Sequence, residues 1–248
     1  METIVITASS GAFSGLAEAL HHIPVRVASR PLVSFSSPAD WIPLDRALKQ
    51  RSRYGALALT SPRAATAVLE RVRASGITWD EGDSPPVWAV GSATAEALQG
   101  SLGPVREGGL GGEADESAAT GLARAMLSAG VAGPVLFPCG DRRRDELPTI
   151  LRDNGIAVDE VVSYRTVLAG AEQARAAVAG ATMVVVASPS VVRLLAESCP
   201  PPSRPALIAI GPTTAAAARA AGWDPIAVPT APSTTALAIS ISALLTPR

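Results

Sequence analysis

The sequence predicts an α/β protein of parallel sheets covered by crossover helices and divided into two small domains, and three observations carry that prediction. Short, almost continuously apolar β-branched runs alternate with Ala/Leu-rich helical stretches along the whole chain. Runs of that kind suit strands covered on both faces, and strand–helix alternation implies parallel pairing through crossover helices. The pattern also repeats within the chain. Finally, 248 residues at 48% hydrophobic are ample for packed cores, and eight or more strands in that length fit two small domains better than one.

In chain order, "TIVIT" from Thr3 and "VRVAS" from Val25 are the first strands, and "PLVSF" (31–35) is an apolar segment able to cross between sheets. "ALALTS" ends at Ser61, which caps the next helix, while Pro62 takes a first helical position that needs no N–H partner. "VWAVG" runs to Gly91, and Ser92, Ala93 and Thr94 open an alanine-rich helix. "GGLGGEADESAATGL" (108–122) reads as a flexible loop leading into a helix. "PVLFPC" precedes "GDRRRDELP" (140–148), where three arginines lie among acids at a helix start. That run is either a solvated first turn or holds an arginine that pairs with a ligand carboxylate. "VVSYRTV" (161–167) is the second candidate crossing. "MVVVAS" then ends in Ser188-Pro189-Ser190, "ALIAIG" in Gly211-Pro212-Thr213-Thr214, and "PIAVP" is followed by "APSTTAL" (231–237), with Ser233 and Thr234 before a last helix.

The repeat is gap-free over its first part. Laying Thr3 on Pro134, a shift of 131, places Leu16 and Leu20 on Leu147 and Leu151, and Val25 and Val27 on Ile156 and Val158. Laying Ala56 on Met183, a shift of 127, places Ser61-Pro62 on Ser188-Pro189; with a shorter connection Gly91 and Thr94 lie over Gly211 and Thr214. The order is A, B, A′, B′. Two like domains in tandem fit it, and so does an exchange of half-units through the two crossing segments; the residues alone favour neither.

Net charge is −1, so no global field attracts nucleic acid or an anionic membrane. "METIVITASS" lacks a basic, then apolar, leader, and no run reaches the ~20 apolar residues of a membrane span, so a soluble cytoplasmic protein is expected. Cys139 and Cys199 are far apart and His21 and His22 are adjacent, which argues against a disulfide scaffold, a metal site or a histidine-based triad. No dinucleotide fingerprint, Walker lysine loop or GxSxG is present. Singly, each strand–helix corner is an ordinary cap. Together they are more: ligands of open parallel sheets bind beyond the carboxyl ends of the strands, and several free helix N-termini there form an anion-receptive surface. Tyr164, one of two tyrosines, either packs a hinge or presents a phenol as donor or general acid.

"LTSPRAA", "AVGSATAEAL", "GDRRRDELPTILRDNGIAVDEVVSYRT", "ASPSVVRLL", "AIGPTTAAAARAAGW" and "APSTTAL" together resemble the uroporphyrinogen-III synthase family, in the same order and at similar spacing over essentially the whole chain. The resemblance implies two doubly wound parallel-sheet domains, flavodoxin-like or Rossmann-like, on a two-stranded connector. The first would be discontinuous (1–33 and 167–248) and the second would span 36–162, with connectors at about 31–36 and 162–167 and the active site in the cleft between domains. It also implies the activity: the linear tetrapyrrole hydroxymethylbilane closes to uroporphyrinogen III with inversion of ring D through a spiro intermediate, with no cofactor and no metal. By the same resemblance Tyr164 assists departure of the hydroxyl. Ser61, Gly91, Ser92, Thr94, Ser188, Ser190, Gly211, Thr213, Thr214, Ser233 and Thr234 anchor carboxylates through side chains or neighbouring N–H groups.

Many family members carry Thr-Arg-Pro after the first strand where this chain has Thr7-Ala8-Ser9, and the Gly91-Ser92 corner lacks an asparagine. The first departure motivates the alternative of a non-catalytic relative, which the retained Tyr164 opposes. A periplasmic-type or repressor-core module shares the two-domain plan, but neither a leader nor a DNA-binding domain is read here. The expected partner is the substrate alone, with no nucleic acid and no membrane. A monomer is expected, with a transient contact to the preceding or following pathway enzyme left open. Connectors of two strands lead to the expectation that the domains reorient on binding.

Overall fold

The computed structural model describes residues 1–80, 82–98, 101–108 and 117–245. The chain forms two compact units, Met1–Ser34 with Val167–Arg248, and Phe35–Thr166. The first unit opens with β1 (Glu2–Ile6), the short helix α1 (Leu16–Ala19) and β2 (Val25–Ser29). β3 (Val33–Ser36) carries the chain into the second unit, which continues through α2 (Ile42–Lys49), β4 (Ala56–Leu59) and α3 (Pro62–Ala74). There follow β5 (Val87–Val90), α4 (Gly91–Glu96), β6 (Val105–Gly108) and α5 (Ala118–Ser128). β7 (Val135–Gly140), α6 (Glu146–Asp153) and the long strand β8 (Val158–Leu168) complete it, and β8 returns the chain to the first unit. That unit ends with α7 (Ala171–Val178), β9 (Met183–Val186), α8 (Pro189–Ser198), β10 (Ala206–Ala209), α9 (Pro212–Ala220), β11 (Pro225–Ala227) and α10 (Thr234–Leu245). Of the loop expected over 108–122, residues 109–116 lie outside the described residues. Its end is α5, capped by the Ser117 hydroxyl, which accepts the Thr120 N–H at 3.2 Å.

The sheet orders are β11-β10-β9-β1-β2 and β3-β8-β7-β4-β5-β6. The pairings of β1 with β2 and β9, β10 with β9 and β11, β4 with β5 and β7, β5 with β6, and β7 with β8 are all parallel. Laying β4, β5, β6, β7 and β8 on β9, β10, β11, β1 and β2 makes the two orders the same, with β3 added at one edge. In each sheet the winding reverses once, between β4 and β7 and between β9 and β1.

Period-2 alternation sends the side chains of each strand into two cores. Leu57 and Leu59 of β4 join Leu44 of α2 and Val68 of α3, while Ala56 and Ala58 face Leu122 of α5 and Leu147 of α6. Val184 and Val186 of β9 pack on Val191 of α8 and Ala215 of α9; Met183 and Val185 pack on Leu16 of α1 and Ile241 of α10. All four residues of β4 are fully buried, which is why its sequence is apolar without alternation. Each buried leucine or valine contributes about 1.5–3 kcal/mol of transfer free energy.

Candidate functional site

In doubly wound sheets the crevice for a ligand opens beyond the carboxyl ends of the strands, where the winding reverses. In the second unit that position is bounded by Ser61 after β4 and Gly140 at the end of β7, with Tyr164 of β8 on the far side of β7. A groove of about 730 Å³ opens there, lined among others by Phe35, Trp41, Ser61, Arg63, Thr66 and Tyr164. A smaller cavity of about 320 Å³, lined by Trp79, Val87 and Arg106, lies at the amino ends of β5 and β6, the opposite edge of the sheet.

Ser61 caps α3. Its Oγ accepts the Ala64 N–H at 3.2 Å, and its own hydroxyl donates to Tyr164 Oη over a long 3.5 Å. The phenol therefore keeps its proton available, since among the described residues its hydroxyl donates to no other group. The Tyr164 ring is half-buried and meets Phe35 edge to face, centroids 5.9 Å apart. The Arg63 guanidinium lies 3.4 Å from the centroid of the Phe35 ring. Arg63 forms no ion pair among the described residues, so a cation stands at the mouth of the groove held only by an aromatic face. The Cys139 thiol, at the end of β7, is pushed up to about 11, chiefly by burial. It stays protonated near neutrality and serves as packing rather than as a nucleophile.

The other corners follow the same plan with two differences. Ser188 caps α8, accepting the Val191 N–H at 3.3 Å, and Ser233 caps α10, accepting the Ala236 N–H at 3.2 Å. With proline at the first helical position of α3 and α8, the N–H groups of Arg63 and Ser190 are left without a helical partner. Thr94 and Thr214 are only 2% and 4% exposed, so at these corners the outward groups are Ser92, Thr213 and the first-turn amides. Gly91 sits at φ +66° and Gly211 is extended at −159°; the two corners match in sequence and differ in backbone, and only Gly91 requires glycine. Thr234 reaches back to Ser14 O at 3.5 Å. Thr7 is buried with its hydroxyl on Val185 O, and Ala8 is buried in the α1–α10 core, so the segment that departs from Thr-Arg-Pro is structural here. Among the arginines of 142–144, Arg143 is held by Glu160 and Asp145, and Arg144 lies 3.9 Å from Glu146.

The structure thus joins Ser61 to Tyr164 directly and adds Phe35, Arg63, Gly140 and Ser163, to which no role is read from the sequence. Arg63 had a signal, the position after a capping Ser-Pro. Phe35 and Ser163 had none, because only the fold brings them to Tyr164.

The chain matches the family model of uroporphyrinogen-III synthase HemD over residues 13–239. It is 29% identical over 171 residues to a uroporphyrinogen-III synthase of Synechococcus elongatus, a match that covers 66% of this chain and 61% of that protein; the chain thus spans about three fifths of the length of that relative. Its fold is similar to that of uroporphyrinogen-III synthetase from Helicobacter pylori, with TM-score 0.63 and 19% identity over 99% of this chain and 100% of that one. It is also similar to a mutant uroporphyrinogen III synthase from the extremely thermophilic bacterium Thermus thermophilus, with TM-score 0.60, 18% identity and 92% of each chain covered.

Proposed function

The chain belongs to the uroporphyrinogen-III synthase family, and from that premise we propose that it closes hydroxymethylbilane to uroporphyrinogen III with inversion of ring D. The observation that carries the proposal is the Tyr164 phenol in its groove, with a free proton, the Ser61 hydroxyl behind it and the Arg63 cation beside it.

In this mechanism Tyr164 donates to the hydroxyl of the bilane. The C–O bond breaks, water leaves, and electron density from the adjoining pyrrole nitrogen yields an azafulvene. The substituted position of ring D attacks that carbon to give the spiro intermediate, which rearranges to the inverted macrocycle. The Ser61 O–H stabilises negative charge developing on Tyr164 Oη. The azafulvene is already reactive, so the protein mainly holds a flexible octacarboxylate in one shape, a proximity effect. The acetate and propionate arms take the free N–H groups at the strand–helix corners, with Ser92, Ser190, Thr213, Ser233 and Thr234 as side-chain donors and Gly91, Thr94, Ser188, Gly211 and Thr214 shaping the corners. Arg63 adds one charged partner.

Supplying hydroxymethylbilane and separating the oxidised products tests this: the type III isomer is expected, and formation of the type I isomer alone refutes it. Tyr164→Phe is expected to lower kcat by about 10²-fold or more with the unfolding midpoint retained. An unchanged rate returns Tyr164 to a packing role. The same proposal takes the protein to be a cytoplasmic monomer; no helix among the described residues is long and apolar enough to cross a membrane. Light scattering that gave twice the chain mass would remove the monomer.

A further inference from the structure

We propose that Gly140 and Ser163 are positioning residues for the Tyr164 phenol: a one-residue bulge turns the ring onto the groove side of the sheet, and the bare Cα of Gly140 gives it a place to lie. The proposal rests on Tyr164 having the role assigned above, and it concerns how the sequence puts it there.

β7 and β8 pair in strict register from Val135↔Val158 to Cys139↔Val162, and the next pair is Gly140↔Tyr164. Ser163 is the extra residue. Before the bulge, alternation sends Val158 into the core under α5 and α6, and Val161 into the core under α2 and α3. Continued without a break, it would send Tyr164 to the Val158 side, because both numbers are even. Tyr164 instead packs against the Val161 side, the side of Ser61 and α3. The bulge supplies that reversal, as bulges do where a side chain must be re-aimed.

Its polar groups are closed internally. Ser163, 1% exposed, donates through Oγ to Cys139 O at 3.2 Å, and Asp141 N donates to Tyr164 O at 3.1 Å. Asp141 Oδ1 also accepts the Thr166 N–H at 2.8 Å, so the strand is held on both sides of the tyrosine. The ring then lies across Gly140. A Cβ added there would stand 2.7 Å from Cε2, 2.7 Å from Cζ and 2.8 Å from Oη of Tyr164. Ordinary contact begins at 3.4 Å, so alanine would move the phenol by about 0.7 Å, the difference 3.4 − 2.7. Displacements of about 1 Å cost reacting groups up to about 10²-fold in rate.

The test uses the full chain labelled with 3-fluorotyrosine. Only Tyr54 and Tyr164 carry the label; Tyr164→Phe assigns the two ¹⁹F resonances, and the Tyr54 resonance reports on the fold. Gly140→Ala is expected to shift the Tyr164 resonance and not that of Tyr54, and to lower kcat about 10–100-fold with KM changed less than about threefold. In a Tyr164→Phe background the same substitution is expected to change kcat less than about threefold. An equal fall in both backgrounds, or an unmoved Tyr164 resonance, overturns the proposal. Should Tyr164→Phe alone keep full type III activity, the catalytic role of Tyr164 falls, and the ¹⁹F shift still decides whether Gly140 places the ring. If Gly140→Ala does not fold, Ser163→Ala carries the same measurements, with a smaller shift and a fall of about 3–10-fold, and the same outcomes overturn it.

Discussion

Ser61 and Ser188 occupy equivalent corners of the two repeats, and removing either hydroxyl should have nearly the same effect on stability. Each Oγ accepts one first-turn N–H, from Ala64 at 3.2 Å and from Val191 at 3.3 Å. Loss of such a cap costs about 0.5–2 kcal/mol. Here the orphaned donors belong to residues that are 0% and 1% exposed, so little water can replace the hydroxyl and both costs fall at about 1.5–2 kcal/mol. Ser61 has one further partner, Tyr164 Oη, but a 3.5 Å contact adds less than about 0.5 kcal/mol. Ser61→Ala and Ser188→Ala should therefore lower the unfolding free energy by amounts within about 0.5 kcal/mol of each other, each in the transition of the unit that contains it. Urea denaturation followed by far-UV circular dichroism and by tryptophan fluorescence measures both. A Ser61→Ala loss more than about 1.5 kcal/mol above that of Ser188→Ala would show that the Tyr164 contact dominates. No loss in either would show that the corners are not held by their caps.

Alkaline conditions should destabilise the second unit before the amide backbone is at risk. Burial raises Cys139 from an ordinary 9.0 to about 11, and burial followed by the hydrogen bond to Asp159 raises Tyr54 from 10.0 to about 12. Both folded values lie above the unfolded ones. Their stabilisation is thus complete below about pH 9 and is lost as pH rises from there through 12, by about 3 kcal/mol per group at most. The urea midpoint should fall across that window, and Cys139→Ala should flatten its first half; a flat profile to about pH 11 would refute the shift. Arg204→Lys should cost the first unit about 2–3 kcal/mol in urea. The guanidinium fork donates to Cys199 O, Ala196 O, Ala221 O and Gly222 O and lies over Trp223, and an ammonium reaches few of these at once; a loss under about 0.5 kcal/mol would count against that account.

The parallel α/β class was legible because its strands are buried on both sides: "ALAL" and "MVVV" carry no polar position to mislead. The correspondence of strands was legible too, since the two shifts of the repeat place β4 on β9 and β7 on β1; their order within each sheet was not, because the repeat fits tandem and exchanged half-units equally. β6 escaped notice because it is a short edge strand with Arg106 and Glu107 exposed, and edge strands keep charge where central ones cannot. The side on which Tyr164 stands was beyond reach. Alternation from Val161 points it to the wrong face, and nothing in "VVSYRT" announces that Ser163 drops out of register. Equally, the likeness of the Gly91 and Gly211 corners in sequence concealed that only Gly91 takes a positive φ. Tertiary demands on a single residue leave no periodic trace.

The first unit is assembled from both ends of the chain, and this orders events on the ribosome. Ile4 of β1 pairs with Met183 of β9, and the Thr7 hydroxyl seeks the Val185 carbonyl 178 residues later. At about 5–20 residues per second, β1 waits roughly 10–35 s for that neighbour, while the contiguous second unit emerges complete in the interval. Through that interval β1 has only β2 beside it, and the arrival of β9 joins the two halves of the first sheet. Such a distant pairing belongs to the slow class of topologies, so refolding of the whole chain should trail that of its middle.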